Sequence, residues 1–219
     1  MVSTGGGGGA GLRAGTVSDA RISARLHCAQ IDEGFLASLG PRFLERLYRR
    51  VALFEGSFLL VAEASGAPVG FLAGAKEVGA LYRSFIVRDG VVAAIESAPR
   101  LARAWPRAVE TLRHGSAETP PGTAELLSVA VDPGARGQGA GTLLVNGFID
   151  ECRRRGSTSA QVVVGATNER AISLYSRAGF RQVEEFELHP GTRSLLMRTS
   201  LVQSASDADG GPLRQPGRT

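Results

Sequence analysis

Residues 126–144 read Leu-Leu-Ser-Val-Ala-Val-Asp-Pro-Gly-Ala-Arg-Gly-Gln-Gly-Ala-Gly-Thr-Leu-Leu, and few backbones accept that order of residue types. An apolar run ending at Val131 predicts a strand, Asp132-Pro133-Gly134 a tight turn, and Leu143-Leu144 the start of a helix. Between turn and helix lie Gly137, Gly139 and Gly141. Glycine has no Cβ, so the chain here can be approached closely, and the amides at the next helix's N-terminus attract negative charge. Arg136 adds a cation beside this nest. The segment reads as a pyrophosphate cradle. Two better-known glycine loops do not match it: a P-loop requires Gly-Lys followed by Ser or Thr, and the dinucleotide fingerprint requires a small final residue where Thr142 stands.

A second informative segment runs from Asn168 to Phe180, Asn-Glu-Arg-Ala-Ile-Ser-Leu-Tyr-Ser-Arg-Ala-Gly-Phe. Helical periodicity puts Asn168, Ala171, Ile172 and Tyr175 along one face. Tyr175 follows Asn168 by two turns, roughly 10 Å along the axis, so both can meet one extended ligand.

Together the two segments resemble the GNAT superfamily of acyl-CoA N-acyltransferases. The first fits Val-x-Pro-x-x-Arg-Gly-x-Gly-x-Gly-x-x-Leu over Val131 to Leu144, and the second fits Asn-x-x-Ala-x-x-Leu-Tyr-x-x-x-Gly-Phe at every defined position. The resemblance implies an α/β fold, a mixed twisted sheet flanked by helices, and acetyl-CoA as co-substrate without a metal. It implies pantetheine on the main chain of Val129, Ala130 and Val131, and the diphosphate on Arg136, Gly137, Gln138, Gly139, Ala140, Gly141 and Thr142. Asn168, Ala171 and Tyr175 would complete the cofactor site. In the family that tyrosine is the general acid, a role suited to a phenol with a reference pKa near 10. Asn168 is equally a good helix cap, and Tyr175 equally a core residue. Glu125 aligns with the catalytic glutamate of some histone-type members and is the candidate base; the competing reading is a solvent-facing strand glutamate. Family members that acetylate ribosomal-protein N-termini carry glutamate where Val163 stands here, which argues against that substrate.

The expected reaction is transfer of an acetyl group to a primary amine of a small molecule. A protein or peptide amine is the enzymatic alternative, and a non-catalytic acyl-CoA sensor the alternative of another class. Phe35, Leu39 and Phe43 are candidates for the acceptor side, or for core. A homodimer is compatible with such a domain.

The rest of the chain sets bounds. Its 219 residues with 43% hydrophobic content suit one globular domain, expected over residues 11–202, with a flexible glycine tail before it and a disordered tail over 203–219. The formal charge of +4 comes almost wholly from arginine, since Lys76 is the lone lysine. That suits an anionic ligand; the scattered arginines and 6% aromatic content offer no stacking platform for nucleic acid. Cys28 and Cys152 form no disulfide framework or metal spacing and are expected to be buried thiols. His27, His114 and His189 lack zinc-ligand spacing. No apolar stretch is long enough to span a bilayer, and the N-terminus lacks a secretory pattern, so a cytoplasmic location is expected.

Periodicity and punctuation predict a first strand at Leu12–Thr16, a helix capped by Ser18 and reaching Ile31, and a helix opened by Pro41. Paired strands are expected at Ser57–Ala64 and Val69–Lys76. A helix from Leu143 to Arg155 should precede a strand at Ala160–Gly165, whose Val162-Val163-Val164 run suggests burial on both faces. Phe180–Leu188 and Ser194–Thr199 should form a terminal hairpin. Between strands 3 and 4, residues 77–122 form a helical insertion, in which Pro106 opens a helix with Leu101, Trp105, Ala108 and Leu112 on one face and Arg100, Arg103 and Arg107 on another.

Overall fold

The computed structural model describes residues 10–31, 35–89, 119–189 and 192–202. The expected tail over 203–219, all of the expected 1–10 tail but Ala10, the Pro106 helix and His114 lie outside those residues.

Seven strands form one sheet: β1 Gly11–Ala14, β2 Ser57–Ala64, β3 Ala67–Ala75, β4 Thr123–Val131, β5 Ser159–Gly165, β6 Arg181–His189 and β7 Thr192–Ser200. Their spatial order is β1-β2-β3-β4-β5-β7-β6, and every pairing is antiparallel except β4 with β5. The helices are α1 Ala20–Gln30, α2 Phe35–Ser38, α3 Pro41–Leu53, α4 Val78–Arg88, α5 Ala140–Arg154 and α6 Glu169–Arg177. This is the expected mixed sheet with helices on both faces.

Each face has its own core. On one side Leu144, Val145 and Phe148 of α5 and Tyr175 of α6 pack on Leu60, Leu72, Leu126 and Val162 of the sheet. On the other, Ala24, Leu44, Leu47, Tyr48, Leu81 and Phe85 of α1, α3 and α4 cover Leu59, Phe71 and Ala73. Burial of each large side chain contributes roughly 1.5–3 kcal/mol, which holds the otherwise weakly nucleating helices to the sheet. Gly74 permits the closest part of this packing: a Cβ there would stand 2.6 Å from Phe58 and 2.8 Å from Phe148.

Several expectations are corrected. β1 ends at Ala14, because Arg13 turns to Asp19 and the chain enters a 3-10 turn at Val17–Asp19. That turn is closed by a capping box between Thr16 and Asp19, so Ser18 is not the helix cap and α1 begins at Ala20. The helix after the glycine loop starts three residues earlier than expected, at Ala140. Val163 is 39% exposed, so β5 is not buried along both faces. Cys28 is exposed and only Cys152 is buried. Of the insertion, α4 is a helix as expected. No described helix is long and apolar enough to cross a membrane.

Candidate active site

The site begins where β4 loses its neighbours. β4 pairs with β5 only from Thr123 to Leu126. Against β3, its register slips between Ser128 and Leu126, leaving Leu127 without a partner. A bulge adds local twist and re-aims the chain, and here it coincides with the point where β4 and β5 part. Beyond it, Val129, Ala130 and Val131 have free backbone edges on the β5 side.

These three residues line a cavity of about 520 Å³. Its floor is the glycine loop. Asp132 accepts from the Gly134 amide, the loop makes a 3-10 turn, and Gly137 and Gly139 take φ of 77° and 83°. Those left-handed values suit glycine alone. A Cβ at either position would meet nothing within 4 Å, so the space above the loop is open to a ligand. At Gly141 a Cβ would meet Leu174 at 3.5 Å, an ordinary contact, where α5 passes α6.

Among the described residues, the amides of Gly137 through Thr142 have no hydrogen-bond acceptor; the first bonded amide is Leu143, which donates to Gly139. Unpaired N–H groups at a helix start carry partial positive charge and take an anion readily. Three cations line the same cavity: Arg136, which donates to Gln30 at the end of α1, and Arg170 and Arg177 of α6.

α6 supplies the remaining wall. Asn168 caps it, its side chain accepting from the Ala171 amide at 3.1 Å, and Asn168, Ala171 and Tyr175 all face the cavity. Asn168 therefore does both things the sequence allowed. The Tyr175 ring is 4% exposed and tilts against Phe180 with centroids 5.8 Å apart. Its hydroxyl has no protein partner among the described residues and is not among the buried unpaired atoms, so it meets the cavity. Burial holds this phenol above its ordinary pKa, which keeps it protonated.

All but one of the cofactor-site residues expected from sequence line this cavity. The exception is Gln138, whose side chain folds back to donate to the Gly134 carbonyl at 3.2 Å. Glu125 lies elsewhere. It sits in the paired part of β4, opposite Ala75 and Gln161, four residues and roughly 13 Å along the strand before Val129.

Glu125 is not the solvent-facing strand residue that sequence left open. Gln161 Nε2 donates to its Oε2 at 3.1 Å, and Arg198 Nη2 donates to the oxygen of the same amide at 3.2 Å. Burial pushes the Glu125 pKa up, and the Gln161 hydrogen bond pulls partly against it. Tyr82 of α4 stands close enough to feel the carboxylate: burial first and the Glu125 charge second push its phenol up to about 12.

Sequence reasoning missed Gln161, Arg198, Tyr82, Gln30, Arg170 and Arg177. Gln161 did leave a signal, as the one polar residue in the apolar run from Ala160 to Val164. Gln30, Tyr82 and Arg198 come from segments distant along the chain, whereas Arg170 and Arg177 lie within the Asn168–Phe180 segment itself. Of the proposed acceptor-side residues, Leu39 is 1% exposed and belongs to the core, and Phe43 stacks edge-on against Phe85 at 5.3 Å; the Phe35 side chain lies outside what is described.

Comparison with known proteins agrees with this geometry. An uncharacterised N-acetyltransferase of Methanocaldococcus jannaschii is 41% identical over 61 residues, 28% of this chain and 27% of that protein. The ribosomal protein bS18-alanine N-acetyltransferase of Escherichia coli is 41% identical over 59 residues, 27% of this chain and 40% of that enzyme. The chain thus matches well under half the length of either relative. An aminoglycoside acetyltransferase in complex with coenzyme A and kanamycin superposes with a TM-score of 0.57 at 19% identity, covering 87% of this chain and 94% of that one. The sequence model of the acetyltransferase (GNAT) family matches residues 28–180, and with the split sheet and glycine loop in place the chain belongs to that family.

Proposed function

We propose that this protein moves an acetyl group from acetyl-CoA directly to a primary amine of a small molecule. One observation carries the reading: six consecutive amides without acceptors lie at the start of α5, on a cavity that also meets the free edge of β4 and the Tyr175 hydroxyl. The residues fit coenzyme A. Open space over Gly137 and Gly139 admits a diphosphate, and the β4 edge can pair with the amides of pantetheine.

The acetyl thioester supplies an electrophilic carbonyl; this chain's residues do the rest. Main-chain N–H groups at the β4 bulge polarise that carbonyl, an effect worth about 3 kcal/mol of barrier per donor in comparable sites. Glu125 takes a proton from the acceptor ammonium through a bridging water, and burial, by raising its pKa, makes the carboxylate a stronger base. The amine nitrogen then bonds to the acetyl carbon as the carbon–sulfur bond breaks; Tyr175 gives its proton to the departing thiolate, and the second proton leaving the nitrogen restores the phenol.

The small-molecule acceptor is favoured by Tyr82. α4 belongs to the insertion between β3 and β4, and its Tyr82 phenol lies near enough to Glu125 to feel the carboxylate's charge, which supports an acceptor side narrowed by the insertion. The likeness to an enzyme named for a ribosomal-protein alanine favours a protein N-terminal amine as the second reading.

The test is thiol release from acetyl-CoA across polyamines, amino sugars and amino acids, with alanine-started peptides in parallel. Turnover on a small amine is expected. Turnover on peptides alone would select the second reading, and cofactor binding without turnover on any amine would leave an acyl-CoA sensor.

A further inference from the structure

A buried polar chain reaches the β4 bulge from the helices of the α1, α3 and α4 face. Strand residues alternate between faces, so Leu126 belongs to the core under α5 and α6, Leu127 to the core under α1, α3 and α4, and Val129 to the first again. Ser128 therefore shares the Leu127 face, as a bulge requires. Its side chain is buried, and its Oγ donates at 2.7 Å to the carbonyl of Leu127, the residue that the β3 ladder skips. The buried Tyr48 phenol of α3 stands beside it: burial raises the pKa of that phenol, and the Ser128 hydroxyl is near enough to pull against burial. Behind Tyr48 comes α1, where His27 Nδ1 lies 2.5 Å from the phenol oxygen. The Tyr48 ring is held edge-on against Phe71 of β3, with centroids 4.9 Å apart. None of these three polar side chains has a part in the proposed mechanism.

We infer that Tyr48 and Ser128, with His27 behind them, are positioning residues for acetyl transfer: they fix the bulge whose main-chain N–H groups polarise the thioester carbonyl. The inference rests on the proposed function and names what holds those N–H groups in place. Proton count gives the chain a direction. Burial lowers the His27 pKa to about 4, so near neutral pH its ring carries a single N–H. Ser128 gives its only proton to Leu127, so toward Tyr48 it accepts. Tyr48 therefore donates to Ser128 and accepts from His27 Nδ1–H. Donors arranged head to tail strengthen one another, and a serine hydroxyl engaged on both sides restrains the Leu127 carbonyl. With that carbonyl fixed, the neighbouring N–H groups stay aimed at the place where negative charge develops; a misplacement of about 1 Å can lower a rate by about 10²-fold.

The experiment is infrared difference spectroscopy of the full chain with acetyl-CoA carrying carbon-13 at the acetyl carbonyl, for the wild type, Tyr48→Phe, Ser128→Ala and the double variant. Bound to the wild type, the carbonyl stretch should fall below that of free acetyl-CoA, and in each variant it should move back toward the free value. Calorimetric affinities for acetyl-CoA should stay within about twofold, because neither side chain lines the cavity. On the best amine of the thiol-release panel, kcat should fall by about tenfold or more in each single variant. The double variant should fall no further than the worse single one, as members of one chain do. Nitrogen-15 shifts of His27 should report the proton on Nδ1. A stretch in either variant equal to that of the wild type, additive losses, or a His27 proton on Nε2 would overturn the positioning role while leaving cofactor binding intact. Failure of the wild type to bind acetyl-CoA would instead overturn the proposed function beneath it. Tyr48→Phe keeps the ring on Phe71, and thermal melts establish that each variant is folded before its spectrum is taken.

Discussion

The Gln161 amide stands 3.1 Å from the Glu125 carboxylate at the last rungs where β4 and β5 still pair. Arg198 fixes which way that amide points, because a guanidinium can only donate and so demands the oxygen. The NH2 group is left to face Glu125. A carboxylate in this position is held by a hydrogen bond to its charged form and opposed by burial.

That balance sets a pH dependence. As the proposed base, Glu125 would act only when ionised, so kcat/KM should rise with pH through its raised pKa. Gln161→Leu removes the contact that favours the carboxylate, and the acidic limb of the profile should move to higher pH. Glu125→Gln should lower kcat by about 10²-fold or more with little change in coenzyme A affinity. A pH–rate series with isothermal titration checks both, and an unmoved acidic limb would count against Glu125 as the base.

Tyr175→Phe keeps the ring against Phe180 and removes the hydroxyl that faces the cavity. Stability should change by less than about 1 kcal/mol, since that hydroxyl has no protein partner to lose. Turnover should fall by about 10²-fold or more while coenzyme A still binds. Stopped-flow single turnovers would show whether the loss is in chemistry; wild-type rates would remove Tyr175 as the acid.

Gly139→Ala places a Cβ at φ 83°, in open space but in a conformation unfavourable for L-residues. The backbone penalty is roughly 1–2 kcal/mol. The new methyl also occupies the anion site, so coenzyme A affinity should drop together with thermal stability. Differential scanning calorimetry with and without coenzyme A separates the two losses.

His27 predicts an acid-sensitive fold. The ring is 2% exposed, its Nδ1 lies 2.5 Å from the Tyr48 hydroxyl, and burial lowers its pKa from 6.5 to about 4. Between those values the unfolded chain binds a proton that the native ring refuses. The stabilisation is therefore complete above pH 6.5 and is lost as pH falls toward 4, by up to roughly 3 kcal/mol. Urea unfolding at pH 7.5 and 4.5 should show this drop, and His27→Gln should flatten it.

The glycine loop and the Asn168–Phe180 helix were legible because their constraints are local. A left-handed backbone selects glycine, a helix start selects an asparagine cap, and a 3.6-residue period aligns Ala171 with Tyr175, so residue type and spacing marked the loop and the helix, and the family resemblance they carry implied the rest of the cavity wall. Local rules served less well at β1 and α1. There Arg13 reaches Asp19, and this contact moved a strand end and a helix cap by a few residues.

Residue order along the chain was enough to specify an α/β domain with an anion cradle between a strand and a helix, since backbone conformation and periodicity act over a handful of neighbours. Only the folded sheet decided that Glu125 would stand half-buried beside Gln161, that Arg198 would hold the same amide, and that Arg170 and Arg177 would line the cavity. Those outcomes depend on strand register and on where β4 parts from β5. Both are fixed by the simultaneous packing of helices on two faces, a condition that no single segment contains.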